Sequence, residues 1–338
     1  MHNVFGFTKE EYEAYFLSIN EKKYKATQMF EWLYDKRITS FDEITNIKKD
    51  IISKMEESFN FDFIEMVKKQ HDKDTYKFLF KLSDGNCIEA VLMQHDYGNS
   101  VCVSSEVGCN MGCAFCESGR LKKKRNLNTY EMVQQLLLIE KEIKERISSV
   151  VVMGIGEPFD NYDNVINFLK IINDPKGLAI GARHITVSTC GLVPKILEFA
   201  NLPYQFNLAL SLHAPYDELR NKLMPINKVY NISKVMEAIS KYYAITNRRI
   251  TIEYVMLKGV NDSLDDANKL ANLLKGMNVY VNLIPYNETS HIEFKKTDKE
   301  NILKFGKYLQ DNGITVTIRK EFGSKIDAAC GQLRSKEE

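Results

Sequence analysis

Three cysteines lie close together in the segment EVGCNMGCAFCESG, from Glu106 to Gly119. Cys109, Cys113 and Cys116 have the spacing Cys-x3-Cys-x2-Cys. A structural zinc site needs four ligands, usually supplied as two pairs, and the sequence contains no second cysteine pair of suitable spacing. Three thiolates suit a 4Fe-4S cluster whose fourth iron stays open to a small chelating molecule. A zinc site or a redox-active thiol site is the alternative interpretation.

Other polar residues follow predicted strands. In MGIGEP, Gly156 and Glu157 allow backbone amides and a carboxylate to approach a bound ligand, although a tight turn gives the same pattern. Ser188 in VSTCG and the run Ser211 to His213 in SLHAP end two further strands, where hydroxyl and imidazole groups reach a ribose or a carboxylate. Taken alone, His213 is equally well explained as a structural histidine.

Two further cysteines have distinct settings. Cys330 lies in DAACGQL, a segment of small residues near the C-terminus, where a thiol is exposed and mobile enough to act as a nucleophile. Cys102 lies on the predicted strand that precedes the cysteine cluster. A free cysteine is usually a small buried apolar residue, and this interpretation is kept for Cys87 and Cys190.

A basic segment, GRLKKKRNLN, follows the cysteine cluster directly. Its cations predict contacts with the phosphates of a nucleic acid beside the active site, and a solvated surface is the alternative. The five candidates are Arg120, Lys122, Lys123, Lys124 and Arg125.

The hydrophobic pattern predicts the elements that carry these residues. Helical spacing in the first 60 or so residues indicates a small helical domain, and period-two alternation around Asp84-Gly85 indicates a β-hairpin. Short apolar runs then alternate with helical patterns, which favours an α/β fold with parallel strands. Six such units are too few for a closed eight-stranded barrel and predict an open, partial one.

Composition limits the class of protein. The 338 residues are 44% hydrophobic and 27% charged, as in a globular protein. No apolar run is long enough for a membrane span, and the N-terminus has charges where a signal peptide is apolar, so we expect a cytoplasmic protein. Seven cysteines in such a chain do not predict a disulfide framework.

Taken together, these motifs resemble the RlmN/Cfr family of radical S-adenosylmethionine RNA adenine methyltransferases, and are closer to RlmN. The resemblance rests on VCVSSEVGCNMGCAFC, MGIGEP, SLHAP, LMPIN, EYVMLKGVND, NLIPYN and DAACGQLR. It implies a partial (βα)6 TIM-like barrel of the radical S-adenosylmethionine type with a small N-terminal helical domain. The expected limits are 1–70 for the helical RNA-binding domain, 71–98 for a β-hairpin linker and 99–338 for the core.

The resemblance also implies a reaction. A 4Fe-4S cluster on the three cysteines and two S-adenosylmethionine molecules per turnover are expected, with Cys330 methylated first, Cys102 forming a transient disulfide with it, and Glu89 accepting a proton. The implied S-adenosylmethionine contacts are Gly156, Glu157, Ser188, Ser211, Leu212, His213 and Asn287. The implied substrate is an adenine of 23S rRNA, and also of tRNA, modified at C2. A monomer served by an electron donor such as flavodoxin or ferredoxin is expected.

Several alternatives stay open at this stage. Pro158 after Glu157 is similar to the C2 enzymes, but methylation at C8, as in Cfr, is also compatible with the motifs. Glu117-Ser118-Gly119 stands where the family has Ala followed by Ser or Thr, which leaves the substrate less defined than the reaction type. A radical enzyme that acts on a small molecule and a non-catalytic, zinc-containing RNA-binding protein are the competing classes.

Overall fold

The computed structural model describes residues 1–320, 323 and 326–333. The helices are α1 (Lys9–Ser18), α2 (Tyr24–Phe30), α3 (Lys49–Ser58), α4 (Thr129–Ile143), α5 (Tyr162–Asn173), α6 (Val193–Ala200), α7 (Asp217–Leu223), α8 (Ile232–Thr246), α9 (Leu264–Leu274) and α10 (Lys299–Asp311). The strands are β1 (His2–Asn3), β2 (Phe59–Asn60), β3 (Glu65–Asp72), β4 (Thr75–Lys81), β5 (Cys87–His95), β6 (Gly98–Val103), β7 (Glu106–Val107), β8 (Arg125–Asn126), β9 (Ile147–Val152), β10 (Ile185–Thr189), β11 (Asn207–Ser211), β12 (Ile250–Met256), β13 (Val279–Pro285) and β14 (Thr315–Ile318).

One ten-stranded sheet organises the chain, in the order β14-β13-β12-β11-β10-β9-β6-β5-β4-β3. Strands β6 and β9 to β14 are parallel, and each connection between consecutive members carries at least one helix. Each new parallel strand joins the previous one, and among the described residues the end strands β14 and β3 do not pair, so the sheet stays open. The predicted partial (βα)6 barrel is confirmed.

Individual elements also match their predictions. The sequence predicts a helix at Leu264–Leu274, which is α9, and one at Tyr130–Glu145, which is observed as α4. Helix α4 begins where Asn128 and Glu131 form a capping box, each side chain bonding the other residue's backbone. Helix α5 buries Val165, Phe168, Leu169 and Ile172 against the sheet, which is the 3,4 spacing of an amphipathic helix.

The N-terminal region is helical, as predicted. The apolar face predicted in KATQMFEWLYDKR is buried in the structure, and its members are Ala26, Met29, Phe30, Leu33 and Tyr34. Ion pairs join this region to the core, among them Lys9 with Asp174 at 2.7 Å. Among the described helices, none is long and apolar enough to cross a membrane.

The predicted hairpin is formed by β4 and β5, which pair antiparallel around Asp84-Gly85. Gly85 has a φ of +79°, a conformation that favours glycine at this turn. Strands β3 to β6 extend the parallel sheet with an antiparallel section. Strand β3 crosses the predicted limit at residue 70, and the domain limits themselves stay a prediction.

Candidate active site

The cysteine cluster lies in a loop closed by a two-stranded ribbon that the sequence analysis missed. Strands β7 and β8 pair antiparallel, Val107 with Arg125, and the Cys109 amide donates to the Leu121 carbonyl at 2.9 Å. Gly108 has a φ of +76°, and a Cβ there would lie 2.3 Å from the Lys122 carbonyl oxygen. This close approach requires glycine. The ribbon therefore fixes the thiols at the carboxyl end of β6.

The three thiols line one cleft with an empty volume of about 950 Å³. Burial raises the pKa of each thiol, for Cys109 to about 12, so a bound cation is needed to hold them as thiolates. Within the described residues, no three His, Cys, Asp or Glu side chains are close enough to share a single metal ion. A 4Fe-4S cluster does not require the thiols to share one ion, because three of its irons each bind a different thiolate. The three thiols fit such a cluster in residue type and in number.

The MGIGEP loop forms another wall of the same cleft. The buried Glu157 carboxylate accepts hydrogen bonds from the backbone amides of Cys190, at 2.9 Å, and Phe159, at 3.2 Å. Burial raises the pKa of Glu157. Each carboxylate oxygen accepts more than one hydrogen bond, so Glu157 retains acceptor capacity for an ammonium group of a ligand.

An ion-pair network centred on the buried Glu106 holds this loop against the cysteine loop. Lys123 Nζ lies 2.5 Å from Glu106 Oε1 and 2.7 Å from Asp160 Oδ2, while Glu106 Oε2 accepts from the Glu157 amide at 2.9 Å. Burial raises the pKa of Glu106 to about 7, against the opposing effect of Lys123. Lys123, which the sequence analysis assigned to RNA, thus has an internal structural role that was not predicted.

The other members of the basic segment divide into two groups. Arg125 donates two 2.8 Å hydrogen bonds to the buried Glu131 and also pairs with Asp84. The remaining three side chains are exposed: Arg120, which also donates to a backbone carbonyl, Lys122 and Lys124. The charge run is therefore only partly available to a ligand.

SLHAP places an uncharged imidazole in the cleft. His213 has a φ of +57°, and its Nδ1 accepts a hydrogen bond from the Val255 amide at 3.0 Å. Burial, helped by Arg220, lowers the pKa of His213 to about 3, so the ring is neutral and its proton resides on Nε2. The ring packs edge-on against Phe115 of the cysteine loop at a centroid distance of 4.9 Å.

Arg220 is a structural residue that the sequence analysis missed. It is fully buried on α7 and donates to the carbonyls of Cys190, Ser211 and Leu212, at 2.7, 3.2 and 3.1 Å. These carbonyls follow β10 and end β11, so one guanidinium joins two of the loops that line the cleft. No motif marks this arginine, because its partners, backbone carbonyls and the Asn227 side chain, are brought together only by the fold.

The predicted S-adenosylmethionine contacts do not all lie together. The cleft lining includes Gly156, Glu157, Ser188, Ser211 and His213, with 3.3 Å between the two serine hydroxyl oxygens. The Leu212 side chain instead packs in the hydrophobic core, and Asn287 lines a neighbouring cavity. The side chains of these two residues therefore do not join the other five.

The neighbouring cavity brings together the thiols of Cys102, Cys116 and Cys330 and has an empty volume of about 660 Å³. The C-terminal loop is held on the cysteine loop: the Glu117 amide donates to the Gly331 carbonyl at 2.8 Å, and Ser118 Oγ to the Leu333 carbonyl at 2.7 Å. The unusual Glu117-Ser118 pair is thus the attachment point of this loop.

All seven cysteines of the chain are described as free thiols, so the disulfide expected between Cys102 and Cys330 is not formed in this structure. Burial raises the pKa of Cys102 to about 12. The transient bond stays a prediction.

Arg319 lies between the two cavities and lines both of them. Its pKa is raised, mainly by the neighbouring Cys330, with smaller effects of Glu253 and Cys102. The residue follows the last strand, β14, and the sequence analysis missed it. In the sequence, the one signal for a functional role of Arg319 is its position directly after a strand.

Glu89 is buried on β5, with 3% of its surface exposed, and pairs with Lys77 at 3.2 Å. It lies two residues from Val91 on the same face, and Val91 lines the cavity that contains Cys102 and Cys330. Glu89 is therefore beside that cavity.

Comparison with known proteins places this fold and site in a class. The model of the radical SAM superfamily matches residues 103–274, and that of the ribosomal RNA large subunit methyltransferase N-terminal domain matches residues 2–60. This structure is similar to the crystal structure of a radical SAM methyltransferase from Sphaerobacter thermophilus, with 39% sequence identity and a TM-score of 0.93. The match covers 99% of this chain and 100% of that chain. The protein is a member of the radical S-adenosylmethionine superfamily.

Two sequence relatives define the family more narrowly. A probable dual-specificity RNA methyltransferase RlmN from Spiroplasma citri is 54% identical over 100% of this chain and 99% of its own length. One of the same name from Enterococcus faecalis is 54% identical over 99% of this chain and 96% of its own length. The chain belongs to the RlmN family of radical S-adenosylmethionine RNA methyltransferases.

Proposed function

We propose that the protein methylates C2 of an adenine in 23S rRNA, and also in tRNA, through an S-methylcysteine on Cys330. The observation that carries this proposal is the shared cavity of Cys330, Cys102 and Cys116, directly beside the cleft of the cysteine cluster. The family's dual-specificity name supports two kinds of RNA substrate.

The chemistry explains why such an arrangement is useful. C2 of adenine is not nucleophilic, so an ordinary polar transfer of a methyl cation does not reach it, whereas a carbon radical adds to it. Cys109, Cys113 and Cys116 would hold a 4Fe-4S cluster, which would supply the electron that cleaves S-adenosylmethionine to a deoxyadenosyl radical. Glu157, Ser188 and Ser211 line the cleft, and in this proposal the Glu157 carboxylate and the two hydroxyls hold the polar ends of this ligand.

Cys330 and Cys102 have different roles in the proposed reaction. Cys330 sulfur attacks the methyl group of one S-adenosylmethionine; the new S–C bond replaces the old one, whose electron pair stays on the departing S-adenosylhomocysteine. The S-methyl group then loses a hydrogen atom to the radical and bonds to the adenine carbon. The adduct then gives one electron to a one-electron acceptor, a role that a bound iron–sulfur cluster would supply, and its ring proton to Glu89, which restores the aromatic ring. Cys102 sulfur finally attacks Cys330 sulfur, which forms the S–S bond and breaks the S–C bond. The electron pair of the broken bond stays on the departing carbon, which takes up a proton and becomes the methyl group. Arg319 lies beside both thiols, and its charge partly opposes the rise that burial causes in the pKa of Cys102.

The remaining parts of the proposal concern partners. One S-adenosylmethionine is used for each of the two steps, and a small electron-transfer protein such as flavodoxin or ferredoxin reduces the cluster. A monomer suffices, because one chain supplies all the named groups. The reaction takes place in the cytoplasm, where ribosomes and tRNA are found.

Mass spectrometry of rRNA and tRNA nucleosides tests the proposal, using a host that lacks its own enzyme. We expect new 2-methyladenosine with the wild-type protein and with Cys87→Ala, a matched control outside both cavities, and none with Cys330→Ala. Cys330→Ala should still bind iron and cleave S-adenosylmethionine. New 8-methyladenosine would show that the methylated carbon is C8 and not C2. No new nucleoside despite an intact cluster, or zinc without iron in anaerobically purified protein, would contradict the proposal.

A further inference from the structure

The turn between β5 and β6 carries two stacked rings, those of His95 and Tyr97, which are called the aromatic pair below. The rings are nearly parallel, with a centroid distance of 4.6 Å and an interplanar angle of 8°. Tyr97 is 78% exposed, so the face of its ring that is turned away from His95 is open to solvent. Single exposed aromatic side chains are common on protein surfaces, and the position of this one carries the argument.

The aromatic pair lies beside the cavity of Cys102 and Cys330. Val91, Met93 and His95 follow one another on the same face of β5, because side chains alternate along a strand. The first two line that cavity. His95 is therefore the next side chain on the same face, about 7 Å beyond Met93 along the strand.

Lys320 connects the cavity with the aromatic pair. It lines the cavity, yet its side chain is 73% exposed, so the cavity reaches solvent at this residue. Burial and then the charge of Lys320 lower the pKa of His95, which means that this charge lies near the imidazole. Lys320 Nζ also lies 3.9 Å from Asp74 Oδ2, and the Asp74 carbonyl accepts a hydrogen bond from the Gln94 amide at 2.8 Å. The mouth of the cavity and the aromatic pair are thus adjacent.

The turn that presents Tyr97 is held in place by β9. Gly98 follows Tyr97 with a φ of +127°, and a Cβ added there would collide with the Ser148 side chain. Ser148 Oγ in turn donates to the Asn99 carbonyl at 2.9 Å. A ring presented in this way loses little conformational freedom when a ligand stacks on it.

The charges around the aromatic pair nearly cancel. The cations Lys320 and Arg319 and the anions Asp74 and Asp96 all act on His95. A phosphate group gains little net attraction from such a balanced set. A nucleobase, by contrast, stacks on an aromatic ring through its uncharged π-face. The aromatic pair therefore suits a base better than it suits the RNA backbone.

We infer that Tyr97, supported by His95, is a stacking platform for an RNA base that neighbours the target adenine. The inference rests on the proposed function, in which the adenine leaves its own stack to reach Cys330. Its neighbour then lacks a stacking partner, which the Tyr97 ring at the mouth of the cavity replaces. Stacking accepts any base, so it suits a protein proposed to act on both rRNA and tRNA.

RNA binding by Tyr97 variants tests the inference. The probes are fluorescently labelled tRNA and 23S rRNA from a host that lacks its own enzyme, titrated at several salt concentrations. We expect Tyr97→Ala to bind about 5- to 150-fold more weakly and Tyr97→Phe, which keeps the ring, to bind as the wild-type protein does. The slope of log K against log salt should stay unchanged, because stacking releases no counterions. Leu303→Ala, which removes an exposed apolar side chain on α10, is the control.

A tryptophan at the turn reports the contact directly. The chain contains one tryptophan, Trp32, in the N-terminal region. Because stacking on a base quenches indole fluorescence, RNA should quench Tyr97→Trp more than the wild-type protein. In methylation assays Tyr97→Ala should lower kcat/KM for RNA by about the same factor as the affinity. Cleavage of S-adenosylmethionine without RNA should not change, since Tyr97 is not among the described residues that line either cavity.

Several results would overturn the inference. Equal RNA affinity of Tyr97→Ala and the wild-type protein, or equal quenching of Tyr97→Trp and the wild-type protein, would show that no base stacks there. Weaker binding with unchanged kcat/KM would place the stacked base away from the target adenine. Normal RNA binding by Tyr97→Ala with slower reduction of the cluster by flavodoxin would assign the surface to the electron donor.

The binding measurements keep this inference separate from the proposed function. If the wild-type protein binds RNA but forms no methylated nucleoside, the proposed function fails, and the affinities of the Tyr97 variants still decide whether a base stacks on this ring. If the wild-type protein binds no RNA, both the inference and the proposed function are wrong.

Discussion

At the scale of single residues, the site depends on side chains whose charge is set by burial. His213 is the clearest example, because its ring is buried, its Nδ1 accepts from a backbone amide, and its pKa is lowered to about 3. Arg220 shows the same control for a cation, since backbone carbonyls of the neighbouring loops and Asn227 satisfy its donors. Both residues fix the cleft before any ligand binds.

His213 predicts a dependence of stability on pH. In the unfolded chain an ordinary histidine takes up a proton below about pH 6.5, whereas folded His213 stays neutral to about pH 3. Stability is therefore lost as the pH falls from 6.5, by about 1.4 kcal/mol per unit, or about 2 kcal/mol at pH 5. His213→Asn, which tolerates the positive φ, should lose about that much less between pH 6.5 and pH 5 in urea unfolding. The exposed His184→Asn is the control, and equal losses in both variants would contradict the prediction.

At the scale of elements, the loops that follow the strands hold one another in place through direct contacts. Gly156 has a φ of +110°, and a Cβ there would lie 2.6 Å from Glu106 Cβ, in the ion-pair network of Lys123. The MGIGEP loop and the cysteine loop therefore interlock at this glycine. A similar interlock joins Ser118 to the C-terminal loop.

Gly156→Ala tests whether this interlock positions the ligand. Gly276→Ala is a matched control, because Gly276 also has a positive φ, +78°, but no atom lies within 4 Å of its added Cβ. Both substitutions should lower the free energy of unfolding by about 1 kcal/mol through strain. Gly156→Ala should add about 1 to 3 kcal/mol from the clash and weaken S-adenosylmethionine binding in equilibrium dialysis. Unchanged binding in Gly156→Ala would show that the loop adapts freely.

At the scale of the whole molecule, the basic side chains are of two kinds. Some are exposed and available to a ligand, and others are held in ion pairs within the protein. Lys122 and Lys124 are exposed, whereas Lys123 between them is held by Glu106 and Asp160. Only exposed cations release counterions from RNA phosphates on binding. The surface predicted to contact RNA is therefore smaller than the charge run in the sequence indicates.

RNA binding measured against salt concentration separates these roles. Replacing both Lys122 and Lys124 by Ala should reduce the slope of log K against log salt by about 1 to 2, because each phosphate contact contributes about 0.7 to 0.9. Lys123→Met should leave the slope unchanged and destabilise the fold by about 3 to 5 kcal/mol, since it leaves Glu106 buried without a cation. A slope that falls only in the Lys123 variant would reverse this assignment.

The sequence alone predicted the cluster ligands, and it determined the alternation of strands and helices in the core and the family. Thiol spacing and hydrophobic periodicity are local properties of the sequence. They therefore suffice to predict the bounds of α9 and the cysteine cluster of Cys109, Cys113 and Cys116. Tertiary structure alone decided which groups face one another across elements distant in the chain. Such contacts give Arg220 and Lys77 their partners and attach the C-terminal loop at Ser118. Lys123 has a structural role instead of the predicted RNA contact, because a charge run in the sequence does not show that Glu106 lies beside it.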